Sequence, residues 1–252
     1  MSHIDPGGSD PGGSDPAGGP DPAGPGPAWG PGPRTKVRRL RERARYERAA
    51  IDAILDEGFV CHLGFCTRDG PTVVPTAYAR AGDVLYLHGA AANHALKTIG
   101  GGAPVCVTVT LVDGIVLARA AFHHSINYRS VVVYGRASEV RDPAEKRAAL
   151  EAVVEHIVPG RTTDARGPTD SELLATRVVR VEVDEASAKV REGGPKDDPG
   201  DLGAGGIWAG HLPLRTVAGE PVPDDHGPVG ERLPVPPYLT PYRRPGGRGA
   251  DR

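Results

Sequence analysis

One stretch of this chain carries the side chains needed to hold an anion. In A-A-F-H-H-S-I-N-Y-R-S-V-V-V-Y-G, Ala120 to Gly135, a strand over Phe122–Val133 puts His123, Ser125, Asn127 and Arg129 on one face. Phe122, His124, Ile126, Tyr128, Ser130 and Val132 share the other face, which is mostly apolar. A guanidinium can fork two donors onto phosphate oxygens, and hydroxyl and amide groups add neutral donors. An isolated strand with such a face is more often simply solvated, so its neighbours must decide.

Two neighbours favour a site. After His88, the small residues Gly89-Ala90-Ala91-Ala92 lead into a short helix, Asn93 to Ile99. A strand that turns into a helix start exposes unpaired N–H groups to an anion, and Lys97 can reach back to it. The second neighbour is Asp113-Gly114, a two-residue hairpin signal between Val105–Val112 and Ile115–Ala121. Such a turn pairs Thr108 with Arg119. If the second strand continues without a bulge, Arg119 joins the face of His123, Ser125, Asn127 and Arg129.

Composition bounds the rest. Residues 1–33 are built from Asp-Pro-Gly-Gly-Ser-like units with Trp29 as their one aromatic, so they are expected to be disordered. Residues 34–190 are expected to form one domain, and 191–252 a Pro/Gly-rich extension partly packed on it. A formal net charge of -2 gives no field for nucleic acid or an anionic membrane surface. No apolar run is long enough to span a bilayer. Cys61, Cys66 and Cys106 show no bridging pattern and read as free thiols in a reducing cytoplasm. No Cys-x-x-Cys or His-x-x-x-His spacing points to a metal.

The elements that must position these residues are mostly short strands. Phe59–Thr67, Pro71–Arg80 and Val84–His88 are separated by Arg68-Asp69-Gly70 and Ala81-Gly82-Asp83, a meander that argues for a sheet or barrel. A helix is expected from Thr35 to Glu57. Its first half is basic (Lys36, Arg38, Arg39, Arg41, Arg43, Arg45), and a solvated helix face explains this better than a nucleic-acid patch. Asp142-Pro143-Ala144-Glu145 starts a helix that runs to about Ile157, and Thr169 with Glu172 starts a shorter one. Arg177–Asp184 alternates as a strand.

These pieces together resemble the flavin-binding split barrels related to pyridoxamine 5'-phosphate oxidase, in particular their nitroimidazole-resistance branch. The resemblance rests on A-I-L-D-E-G at Ala53, C-H-L-G-F at Cys61, V-P-T-A-Y at Val74, L-Y-L-H-G at Leu85, V-C-V-T-V-T-L-V-D-G at Val105 and the stretch from Ala121 to Gly135. Later segments extend it to Trp208–Leu214. It implies a mainly β (α+β) fold: an antiparallel six-stranded barrel with flanking helices, assembled as a homodimer that binds FMN between subunits.

By the same resemblance, the backbone of Val74, Pro75, Thr76, Ala77 and Tyr78 meets the flavin ring. His88, Gly89, Ala90, Asn93 and Lys97 meet its phosphate. Ser125, Asn127, Tyr128, Arg129 and Ser130 complete the pocket, with Arg129 as the main cation, and His62 lies near the ring. Some relatives of this barrel bind haem instead. The W-A-G-H-L-P-L tail departs from the substrate-binding segment of the oxidase proper and argues against B6 chemistry. The expected activity is electron transfer from a nicotinamide donor to a small acceptor such as a nitroaromatic or quinone. The alternative is a non-catalytic flavin or haem carrier or sensor.

Overall fold

The computed structural model describes residues 29–203, 205–224, 233–240 and 242. The head expected to be disordered lies, up to residue 28, outside them. Trp29 packs against the core, and the Arg48 guanidinium stacks 4.5 Å from its ring centroid.

The described residues form nine strands, β1 (Ala44–Arg45), β2 (Val60–Thr67), β3 (Gly70–Ala81), β4 (Val84–Ala90), β5 (Gly101–Leu117), β6 (Ser125–Glu139), β7 (Thr176–Glu182), β8 (Glu185–Arg191) and β9 (Gly210–Pro213). All pairings among them are antiparallel. Six of them close a ring in the order β6, β7, β4, β3, β2, β5 and back to β6, while β8 and β1 extend the sheet from β6 and β9 lies on β5. This is the six-stranded split barrel the sequence implied.

The split occurs along β6. Its segment Tyr128–Tyr134 pairs with β8, and its segment Ala137–Glu139 pairs with β7. The barrel interior is filled by Leu63, Tyr78, Leu85, Leu87, Val107, Val131, Val133, Val179 and Val181, all buried. The helix α1 (Arg48–Glu57) joins this core through Ile51, Ile54 and Leu55. Then α2 (His94–Ile99) follows β4, and α3 (Pro143–Ile157) covers β3, β4 and β7. A short helix, α4 (Asp170–Ala175), leads directly into β7.

Local signals worked where one residue type dictates one geometry. Asp142 caps α3 by accepting from the Glu145 amide, and Thr169 with Glu172 forms a full capping box on α4. The turns at Gly70 (φ 120°) and Gly82 (φ 59°) use the left-handed region that glycine tolerates.

Two expectations are corrected. The helix expected over Thr35–Glu57 is helical only from Arg48. Its basic first half puts like charges three and four residues apart, which disfavours a helix. Instead Leu40 takes φ 55°, Arg41–Arg43 makes a 3-10 turn, and Ala44–Arg45 adds an edge strand to β8.

The second correction concerns Asp113-Gly114. There is no hairpin there: β5 runs through it, with the register slipping between Val112 and Gly114. A Cβ at Gly114 would lie 2.9 Å from the Leu212 carbonyl oxygen of β9, so the glycine serves close strand approach rather than a turn. The chain reverses later, through a 3-10 turn at Ala121–His123, and β6 begins only at Ser125. Phe122, expected within the strand, is 89 % exposed.

Candidate functional site

The residues from Ser125 to Ser130 do not form one polar patch. Asn127 and Arg129 are buried, while Ser125, Tyr128 and Ser130 are partly exposed. Arg129 lies in the inward row that continues through Val131 and Val133. Its guanidinium is fully engaged: Nε and Nη2 donate to the Asp113 carboxylate at 2.9 and 2.7 Å, and Nη2 donates to Glu57 at 2.9 Å while Nη1 reaches the other Glu57 oxygen. These bonds, Asp113 first, raise its pKa further above the ordinary arginine value. Arg129 is therefore the centre of a buried ion-pair cluster and not an open phosphate cation. Arg119 is also elsewhere: its cross-strand alignment depended on the hairpin, and it pairs with Asp197 at 2.7 Å.

The turn after β4 pairs three of its amides within the fold. Ala91 N–H donates to Ala175, Asn93 N–H to Ala90, and Leu96 N–H to the Asn93 side chain. The helix α2 has only six residues, and Lys97 is exposed on its last turn. Gly89 and Ala90 are tied into the ladder with β7. The structure thus places these residues in a strand ladder and a short capped turn.

His88 faces away from that turn, into a recess of about 630 Å³ lined by Leu150, Val153, Val154, Ala165, Arg166 and Glu172 among others. Its Nδ1 is buried without a hydrogen-bond partner, and burial holds the imidazole below its ordinary 6.5. The folded state therefore keeps His88 neutral where the unfolded chain protonates. Stability from this group is present above pH 6.5 and is lost as pH falls below it. Glu151, Arg166 and Glu172 share the recess. Replacing His88→Leu is expected to make unfolding free energy less pH-dependent between pH 6.5 and 5, read by urea titration. An unchanged pH slope would show that the imidazole is already charged in the fold.

What the fold does bring together is one open outer face. Strand registers align Pro75 with His62, His62 with Thr108, Thr108 with Val132, and Val132 with Ser187. The next row aligns Val73, Gly64, Cys106, Tyr134 and Glu185. Small or apolar side chains surround an exposed His62, while at the far end of the face Arg34 lies 4.9 Å over the Tyr134 ring and pairs with Glu185. Val73 is 65 % exposed and Val60 47 %. Of the predicted ring-binding residues, Pro75 and Ala77 belong to this outer row. Val74 packs against the core, Thr76 alternates to the same inner side, and Tyr78 is fully buried with its hydroxyl on the Leu55 carbonyl.

A backbone feature adds polarity to the face. β3 pairs with β2 over Gly70–Ala77 but with β4 only from Tyr78, so among the described residues one edge of Gly70–Ala77 meets no strand. Backbone groups on that edge have no ladder partner, although Pro71 and Pro75 contribute no N–H. A planar ring with a hydrogen-bonding edge, as in a flavin, fits an apolar face beside such an edge. The exposed imidazole of His62 is a donor that would suit a haem iron.

Several members of this face were missed, although V-C-V-T-V-T at Val105–Thr110 alternates and so presented Cys106 and Thr108 together. Cys61 points into the core, where burial pushes its thiol up to about 12 and keeps it protonated at neutral pH. His123, Asp198 and Asp201 gather ligand atoms within 4.8 Å of one another at the surface. The His123–Asp198 contact at 3.1 Å accounts for part of that grouping.

Comparison with known proteins bears on the family and the fold. Among curated proteins none matches the chain significantly. The solved structure of the flavocytochrome Anf3 from Azotobacter vinelandii is 36% identical, covers 85% of this chain and 99% of its own, and superposes with a TM-score of 0.78. An FAD and haem binding protein from Mycobacterium smegmatis is 33% identical, covers 82% of this chain and 100% of its own, with a TM-score of 0.76. The sequence model of the family described as pyridoxamine 5'-phosphate oxidase matches residues 47–190, the barrel from α1 through β8. This chain belongs to the pyridoxamine 5'-phosphate oxidase family.

Proposed function

We propose that this protein is a flavin-binding redox protein that also holds haem and works as a homodimer. The carrying observation is the near full-length similarity to a flavocytochrome at 36% identity, together with the open face around His62 in this chain. The outer face exposes Val60, Val73, Val112 and Ile115, a surface suited to a second copy. The bound groups would supply hydride and single-electron chemistry. In this reading the chain's own residues would hold them: the β3 edge would orient the flavin ring, His62 would supply a ligand to iron, and the flanking valines would exclude water.

FAD is the first candidate flavin, by analogy with the relatives, and FMN the second. The electron donor is a nicotinamide and the acceptor a small oxidant such as a quinone or nitroaromatic, in the cytoplasm. The nitroimidazole-resistance branch is the narrower assignment, and the flavocytochrome reading takes precedence over it. Among the described residues no helix is long and apolar enough to cross a membrane.

The test is the absorption spectrum of the purified chain after reconstitution with FAD, FMN or haemin. Flavin bands and a Soret band are expected, and His62→Ala should lose the Soret band while keeping the flavin bands. A Soret band surviving in His62→Ala would move the iron ligand elsewhere, and absence of both chromophores would end the reading.

A further inference from the structure

The fold makes use of the basic segment that no helix absorbed. Pairing of β1 with β8 sets Ala44 against Lys189 and Arg45 against Ala188. This carries Arg43 and Arg45 to the end of β8, where Arg191 sits, and Lys196 returns beside them. Arg43, Arg45, Arg191 and Lys196 line a recess of about 210 Å³ together with Glu42, Val190 and Glu192. Four cations face two carboxylates. The volume is below that of sites for drug-sized ligands and suits a small anion.

Arg191 is the decisive residue. It is 6 % exposed, yet among the described residues every acceptor it uses is neutral: Asn127 Oδ1 and the Gly193 carbonyl on Nη1, and the Gly194 carbonyl on Nη2. Its Nε has no acceptor. Arg129, equally buried, shows the ordinary solution, with a carboxylate on each side of its guanidinium. Among the described residues no carboxylate forms an ion pair with Arg43, Arg191 or Lys196. Arg45 donates to main-chain carbonyls of Glu42 and Ala44. A buried guanidinium without a counter-charge is costly, and an anion removes that cost. Burial and the charge of Arg43 both push the Arg191 pKa down, as expected for a site short of negative charge.

We propose that this recess is a phosphate-binding site, with Arg191 at its floor and Arg43 and Lys196 at its mouth, that takes a phosphate or pyrophosphate group. The group is either a free anion or the phosphoryl end of a nucleotide. The site stands without the flavin reading, because it rests on charge and burial at β1 and β8 alone.

Calorimetric titration of the full-length protein with inorganic pyrophosphate at low salt tests it. Binding is expected, weakening as NaCl is added. Arg43→Gln and Lys196→Gln, at accessible positions, should each weaken it about tenfold, and Arg191→Gln should abolish it in protein whose melting curve confirms folding. No binding to the wild type, or unchanged affinity in both Arg43→Gln and Lys196→Gln, overturns the site. Competition identifies the source. If FAD displaces pyrophosphate and riboflavin does not, the occupant is a nucleotide's phosphoryl end. If neither displaces it, the site takes the free anion. Pyrophosphate binding without any flavin band would leave this site standing while removing the flavin assignment.

Discussion

Replacing Arg129→Ala is expected to lower the unfolding free energy by about 3–5 kcal/mol, because it strands two carboxylates that the fold has taken largely out of water. The Arg129 side chain is 10 % exposed, Glu57 10 % and Asp113 24 %. Glu57 is the last residue of α1, Asp113 lies at the bulge of β5, and Arg129 lies on β6. One guanidinium therefore ties the helix to the two strands with the most extensive pairing in the barrel. Partial exposure of Asp113 lets solvent screen part of the loss, which places the expectation toward the lower end of the range. For a domain of this size the change corresponds to a fall in melting temperature on the order of 6–20 °C.

A second variant separates charge from packing. Replacing all three residues together, Arg129→Met with Glu57→Gln and Asp113→Asn, leaves no charge in this cluster and should be more stable than Arg129→Ala alone. Urea unfolding of the three proteins decides it. A loss under about 1 kcal/mol in Arg129→Ala would mean that the cluster is looser and wetter than its geometry shows. Any loss of cofactor in Arg129→Ala should follow the unfolding curve rather than precede it, since Arg129 points into the barrel and not onto the open face.

The contrast between Arg129 and His62 shows what was legible in the sequence. Alternation correctly separated two faces of β6, and short apolar strands with glycine turns correctly implied an antiparallel barrel. Which face looks inward is a tertiary fact. A row reading Ser-Asn-Arg is polar and looks like surface, but Val131 and Val133 continue that same row into the core, and the carboxylates that neutralise Arg129 come from 72 and 16 residues away. Nothing local to the strand announces them. The same limit explains Asp113-Gly114: the dipeptide permits a tight turn, but strand β9, arriving about a hundred residues later, favours a bulge. His62 was identified through family resemblance, and its exposure on an open face follows only from strand registers. Arg191 was passed over because a lone arginine in a glycine-rich boundary has no signal until β1 lays its own arginines beside it.

Gly135→Ala is the substitution expected to damage the fold most for its size. A Cβ at this position would lie 2.0 Å from the Glu182 carbonyl oxygen and 3.0 Å from Val181 Cγ1. Gly135 is not at positive φ, so the obstacle is contact and not backbone conformation. It sits at the fork, after Tyr134 pairs with Glu185 of β8 and before Ala137 pairs with Val181 of β7. The chain linking β7 to β8 must cross directly over it. A methyl group there pushes against backbone, which cannot rotate away as a side-chain tip can. Overpacking typically costs about 1–3 kcal/mol, and a backbone clash places this one at or above the top of that range. The companion substitution Gly64→Ala tests the same strand system without the clash, since its Cβ would meet nothing closer than the Cys106 carbonyl oxygen at 3.5 Å. It should leave stability unchanged or raised by about 0.5–1 kcal/mol, as alanine restricts the unfolded chain. Gly64 lies in the open row beside His62, however, so its added methyl should reduce flavin or haem loading in a fully folded protein. Denaturation curves and cofactor absorbance on the two variants therefore read different things. If Gly135→Ala folded as stably as the wild type, β7 and β8 could not diverge over residue 135, and the split that creates the open face would lie elsewhere.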